Sequence, residues 1–214
     1  MKLTLVFLFV ALAALSFGQD WSGKTYKYHE IYPGYIIQEN GDTLKGYVEH
    51  NDRIQNQNTC IFYSDASKKD KKKFKADDIK GYGVADKEYR SVNFSGGLIK
   101  KPVRFLLIEK AGRLTEFFWY SRDEGFIVQV RKGNETDAEY DERVSKSEIV
   151  WHKEGEDPVQ YTALVLGFAK RMSKLLADHP ELSKKIADKE KGYGLLNMPA
   201  IASEYNSWWV ANKK

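Results

Sequence analysis

The stretch PVRFLLIEKAGRLTEFFWYSRDEGFIVQVRK, residues 102–132, decides the fold. It holds three apolar and aromatic runs, 102–110, 113–122 and 126–132, separated by Ala111-Gly112 and by Asp123-Glu124-Gly125. Runs of this length and composition are strands. Turns this short join strands only as antiparallel neighbours, because a parallel pair needs a crossover of about a dozen residues. The segment therefore predicts an antiparallel meander.

Upstream, GYIIQENGDTLKGYVEH (residues 34–50) adds a hairpin. Asn40-Gly41 between two alternating runs predicts a two-residue type I′ turn, since both residues tolerate positive φ. That turn pairs Ile37 with Leu44 and Tyr35 with Gly46, and puts Tyr35, Ile37, Leu44 and Val48 on one apolar face. Shorter strands are expected at 59–64, within 72–84 and from 87 to 94, with Ser67–Lys73 as an exposed turn and Gly96-Gly97 as a closing one. Downstream, the acidic residues 133–142 read as a loop and SEIVWHK (147–153) as a last strand.

At Pro158 the period changes. Leu164, Phe168, Met172, Leu175 and Leu176 recur at helical spacing, so residues 159–179 predict an amphipathic helix. Pro180 restarts a short helix lined by Leu182 and Ile186, and Pro199 opens a third with Ile201, Tyr205, Trp208 and Trp209 on one side. Strands followed by helices, without alternation, give an α+β fold. The expectation is a curved antiparallel meander of about seven to nine strands, packed by two or three C-terminal helices. Residues 19–157 supply the β region and 158–214 the helical segment of one domain.

The chain begins MKLTLVFLFVALAALSFGQ, with Lys2 ahead of an apolar run from Leu3 to Leu15 and small residues at Ser16 and Gly18. This is the layout of a secretory signal peptide, cleaved after Gly18, with an apolar core too short to span a bilayer. No later run approaches the length of a membrane span. The 34 Lys and Arg stand against 30 Asp and Glu. A balance this close to neutral argues against dedicated nucleic-acid binding. Cys60 is the only cysteine, so an exported chain has no internal disulfide, and its apolar flanks make Cys60 a small core residue.

GYIIQENGDTLKGYVE, KFKADDIKGYGV, LLADHPELSKKI and EYNSWW together resemble a group of secreted proteins widespread in the Bacteroidota. That group shares the G-D-T-L/I-K-G-Y/F hairpin and a C-terminal D-x-P-x-L helical segment. The resemblance implies a Gram-negative cell envelope and supplies no functional residues. Asp42-Thr43-Leu44 also fits the O-glycosylation pattern of that phylum, with Thr43 as acceptor, although the turn alone explains these residues.

The side chains that carry chemistry are sparse. His29, His50, His152 and His179 show no metal-binding spacing, and no cofactor motif is present. Glu135, Asp137, Glu139, Asp141 and Glu142 lack a cation-loop signature and read as a solvated loop. Ser95-Gly96-Gly97 lacks the first glycine of a nucleophile elbow, and Gly81-Tyr82-Gly83 and Gly192-Tyr193-Gly194 do not continue into phosphate loops. Lys68, Lys69, Lys71, Lys72 and Lys73 form either a solvated turn or a contact for an anionic polymer such as lipopolysaccharide. In the strand 113–122, Phe117 and Trp119 face away from Phe118 and Tyr120. Either the C-terminal helices cover the second aromatic face, or Phe117 and Trp119, with Trp208 and Trp209, line a ligand cleft.

The reading is an exported, non-enzymatic envelope protein that binds a partner protein or a small or glycan ligand. The alternative is a hydrolase of envelope or dietary glycans acting through two carboxylates, for which the acids in Asp77-Asp78 or the 135–142 segment would face each other across a cleft.

Overall fold

The computed structural model describes residues 26–94, 103–122 and 130–213. The expected signal peptide, Ser95-Gly96-Gly97 and residues 126–129 lie outside them. Ten strands form one open antiparallel sheet in the order β10-β9-β8-β7-β6-β5-β1-β2-β3-β4. They are β1 (Glu30–Ile37), β2 (Thr43–His50), β3 (Thr59–Tyr63), β4 (Lys72–Lys75), β5 (Gly81–Val84), β6 (Lys87–Asn93), β7 (Val103–Lys110), β8 (Leu114–Arg122), β9 (Ser145–Lys153) and β10 (Val159–Gln160). The helices are α1 (Arg53–Asn58), α2 (Asp137–Val144), α3 (Tyr161–Leu164), α4 (Phe168–Leu175), α5 (Pro180–Ala187) and α6 (Met198–Asn212), with a 3-10 turn at Leu195–Asn197. The α+β arrangement expected from the sequence is present.

The hairpin β1–β2 forms, with a register one residue from the expected one. Ile36 faces Leu44 and Ile37 faces Thr43, because the loop holds three residues rather than two. Gln38 and Asp42 close it, Gly41 N–H donates to the Gln38 carbonyl at 2.9 Å, and Gly41 takes φ of 92°. A three-residue loop ending in a left-handed glycine is the next commonest hairpin connection after the two-residue turns. The slip moves Tyr35 and Ile37 to the other face, so Ile36 takes the buried position on the face of Val48; Leu44, on that same face at the loop end of β2, is exposed.

The β4–β5 connection sets the curvature. Lys75 to Gly81 spans about 20 Å if fully extended. Four strand spacings in a flat sheet come to about 19 Å. The connection is not extended, because Asp78 N–H donates to the Lys75 carbonyl at 3.1 Å. The sheet therefore curls until β4 approaches β6, where Ser91 Oγ donates to the Ala76 carbonyl. Inside the curl, Ile36, Val48, Cys60, Phe62, Tyr82, Tyr89 and Phe105 make one core.

Residues paired along the ladders share a face, so Tyr89, Leu107, Phe118 and Ile149 continue this inner face across the sheet. At its far end α4, α5 and α6 bury Leu164, Met172, Leu176, Leu182, Ile186, Ile201 and Tyr205 against Leu114 and Trp151. Those helical positions are the ones the sequence periodicity selects. The expected helix 159–179 is nevertheless broken: it opens as β10 and α3, and Gly167, at φ of 85°, separates α3 from α4. The outer face carries a third cluster of Val92, Phe94, Leu106, Phe117 and Val150.

Two further expectations are corrected. The partner of β8 is β9, not 126–132; residues 130–132 are irregular, with Val130 exposed and Arg131 paired to Asp137 at 2.5 Å. The acidic segment is not a loop throughout but holds α2, started by a capping box between Thr136 and Glu139. Asp141 of α2 is 1% exposed and accepts from Tyr28 Oη (2.9 Å), Arg53 N–H (3.1 Å) and Ser145 Oγ (3.2 Å). Three donors compensate the burial of its charge, and they tie the N-terminal segment, α1 and β9 together. Gln57 of α1 bonds both the N–H and the carbonyl of Tyr120, filling a ladder position that β7 leaves open.

Beside this tie, His50 is buried among Tyr26, Tyr28 and Tyr32, with ring centroids 5.4, 5.4 and 6.2 Å away, and its Nδ1 has no hydrogen-bond partner among the described residues. Burial, and then the Lys87 charge, push its pKa down to about 4. A base depressed in the folded state binds its proton more readily when unfolded, so stability present above pH 6.5 drains away as the pH falls toward 4. The loss from this group is at most about 3 kcal/mol. Melting curves between pH 7 and 4 should show it, and His50→Phe should flatten the slope. At the hairpin, Gly41→Val should cost about 1–2 kcal/mol from backbone strain and Gly41→Asn less; equal urea midpoints for wild type and Gly41→Val would remove the left-handed turn.

Candidate functional site

A cleft of about 550 Å³ crosses the outer face of the sheet. Its floor follows from strand alternation: Ile37 of β1, Arg90 of β6, Thr115 of β8 and His152 of β9 all point outward. Lys80 and Glu39 come from the turns at one end, and Gly112, Arg113 and Glu154 from the turns at the other.

Its chemistry is cationic. The side chains of Lys80 and Arg90 are exposed and make no ion pair among the described residues. Arg113 is held: its Nη1 donates to Glu154 Oε2 at 2.6 Å and its guanidinium stacks 4.6 Å from the Trp209 ring. Its Nε is buried and has no hydrogen-bond partner among the described residues. A guanidinium fixed on two sides is a ready donor for a carboxylate or phosphate. His152 Nε2 lies 3.0 Å from the Glu156 carbonyl, which can only accept, so this nitrogen carries a proton and the neutral ring keeps Nδ1 as acceptor. Burial lowers the pKa of His152, the Arg90 charge lowers it further, and the Glu156 carbonyl works in the opposite direction.

The aromatic residues singled out in the sequence fall into two groups rather than one. Phe117 is fully buried in the outer-face cluster beside the cleft, its ring 6.3 Å from His152. Trp119 is half-buried and packs edge-on to Phe94 at 5.5 Å. Trp208 stacks on His179 at 4.3 Å at the helical core. Trp209 alone of the α6 pair bears on the cleft, through Arg113. The helices cover the inner face, so the aromatic face that carries Phe117 and Trp119 is not the one they pack.

Lys68, Lys69 and Lys71 lie exposed in the β3–β4 loop, and Lys72 and Lys73 on the edge strand β4. Lys68 pairs with Glu30 at 3.7 Å. Several acids of the hydrolase alternative are occupied locally. Asp78 accepts from Lys75 N–H at 2.7 Å, and Glu135 pairs with Arg143 at 2.6 Å, which draws its pKa down to about 2. Neither the acidic segment nor Asp77-Asp78 lines the cleft. Among the described residues no His, Cys, Asp or Glu cluster could hold a metal ion. Thr43 is exposed at the start of β2.

Sequence reasoning missed Lys80, Arg90, Arg113 and His152, since four residues spread over 73 positions leave no local motif. The one available signal is the cation at Arg90 in β6, at a strand position whose outward face a soluble sheet leaves wet. A scan against protein-family models finds no match, and neither do searches of curated proteins and of solved structures.

His152 should titrate below the ordinary histidine pKa, and Arg90→Ala should raise it, because removing a neighbouring positive charge favours the imidazolium. A histidine-resolved NMR titration of wild type and variant reads both. An unchanged pKa would separate Arg90 from His152 electrostatically.

Proposed function

We propose that this is a non-catalytic binding protein of the cell envelope whose outer-face cleft takes a small acidic ligand, a saccharide bearing carboxylate or phosphate groups. One observation carries the reading: two exposed cations without ion pairs among the described residues, Lys80 and Arg90, converge with the fixed guanidinium of Arg113 on one trough. Arg90 and Arg113 offer forked donors suited to planar or tetrahedral anions, while Ile37 gives an apolar strip for the less polar side of a sugar ring. The apolar leader of residues 1–18 and the resemblance to secreted Bacteroidota proteins support export and an envelope location.

Binding is favoured over hydrolysis by the state of the carboxylates. A glycosidase needs two of them facing each other across the bond it cleaves. The cleft has Glu39 and Glu154 at opposite ends; the Glu154 side chain is 84% exposed and engaged with Arg113.

The test is calorimetric binding of acidic and neutral oligosaccharides of matched size. Acidic members should bind, more weakly as salt rises, and Arg90→Ala should weaken binding about tenfold or more, the loss of one charge-assisted hydrogen-bond pair. Equal binding of neutral sugars, or an Arg90→Ala variant that binds as wild type, would defeat the assignment. Turnover of any oligosaccharide that Glu154→Gln abolishes would move the protein to the hydrolases.

A further inference from the structure

Besides Val210 on α6, large exposed hydrophobics of the helical region gather at two turns. The turn between α3 and α4 exposes Val165 and Leu166, the latter 81% exposed, and the 3-10 turn ahead of α6 exposes Leu196 at 89%. Half of the exposed large hydrophobics among the described residues are these three. Gly167 and Leu195, their immediate chain neighbours, both line one cleft of about 460 Å³, so the two exposed turns flank it. Its interior is apolar, with Phe168, Ile186 and Tyr193.

Turn positions are ordinarily polar, and an exposed leucine at a turn contributes little to the core behind it. Paired leucine tips over an apolar cleft mark an interaction surface. The surrounding charge selects the partner. Lys170 and Lys189 line the cleft and Lys191 is exposed two residues further on; none of the three makes an ion pair among the described residues. Neighbouring Lys184 and Lys185 are, by contrast, paired to Asp188 and Glu204. Glu190 is the only acid among the described residues that line the cleft. Over residues 158–213 eight Lys and Arg stand against five Asp and Glu.

We propose that this surface docks peripherally on an anionic lipid bilayer, with Leu166 and Leu196 entering the acyl boundary and Lys170, Lys189 and Lys191 meeting the headgroups. Apolar tips ringed by cations bind such interfaces by adding apolar burial to attraction by the negative surface potential. No helix among the described residues is long and apolar enough to cross a membrane, and this mode of attachment needs none.

Co-sedimentation of the exported chain with phosphatidylcholine vesicles, with and without phosphatidylglycerol, tests the proposal. The wild type should sediment with the anionic vesicles and be released by salt. Leu166→Ser with Leu196→Ser should weaken binding about tenfold or more, and Lys170→Glu with Lys189→Glu by a similar factor. The two leucines are exposed, so equal melting temperatures should accompany the loss. As a second reading, Leu166→Trp should shift its fluorescence to the blue on adding anionic vesicles. A wild type that ignores these vesicles, or a serine variant that binds undiminished, overturns the proposal. Self-association that the serine variant abolishes, with no vesicle binding, assigns the surface to a second copy and overturns it equally.

Discussion

The four-residue ladder between β1 and β5 holds the molecule together. On one side of it β1–β2–β3–β4 run as a local meander, and on the other β5 to β10 run as a second. Each could begin to form from near neighbours in sequence, but only the pairing of Gly34–Ile37 with Gly81–Val84 makes them one sheet. The chain closes a loop of more than forty residues to make it, an entropy cost that packing must offset. The packing lies directly on the ladder: Ile36 meets Tyr82, Tyr82 stacks on Tyr89 at 4.7 Å, and the Tyr35 ring lies across Gly83, where a Cβ would stand 2.3 Å from it. Lys80 N–H to the Ile37 carbonyl and Ala85 N–H to the Pro33 carbonyl extend the ladder at both ends. Lys80 enters the candidate cleft from one of these end bonds, so the join between meanders also places part of the site.

The division of labour between the two faces follows from there. The inner face is filled twice, by the curl at one end and by α4, α5 and α6 at the other. The outer face keeps a smaller cluster and, beside it, the polar trough. Buried polar ties do the fastening that a disulfide does in many small domains. Asp141 draws in Tyr28, Arg53 and Ser145, and Lys153 donates to the Leu175 carbonyl and to Asp178, which also accepts from Tyr205. Cys60, whose thiol is pushed up by burial, is sealed in the curl and packs like an alanine-sized hydrophobe.

What could be read from the sequence was whatever is local. The pattern of Leu164, Phe168, Met172, Leu182 and Ile186 names the helical core residue by residue, because helix periodicity is a property of a few consecutive turns. The hairpin at Asn40-Gly41 is legible as a hairpin, but its register is not. A two-residue and a three-residue loop share the same glycine, and only the closing bond of Gln38 with Asp42 distinguishes them. The acidic run around Asp141 reads as solvated because three of its five carboxylates, Asp137, Glu139 and Glu142, are indeed exposed, while the fourth, Glu135, folds onto Arg143. The fifth is buried by Tyr28 and Arg53, more than eighty positions away. The cleft has the same character: Arg90, Arg113 and His152 become neighbours only once β6, β8 and β9 are placed in order.

The lysines of β4 act at the sheet's boundary. A sheet of ten strands has two rims where another chain could continue the hydrogen-bond ladder. One rim, β10, is two residues long, and α3 begins at its last residue. The other, β4, presents Lys72, Lys73 and Lys75 within four residues. A second copy approaching along this rim would bring its own lysines to about 5 Å from these, with no acid between them. Growth of the sheet into dimers or fibres is thus blocked at one end by shortness and at the other by charge.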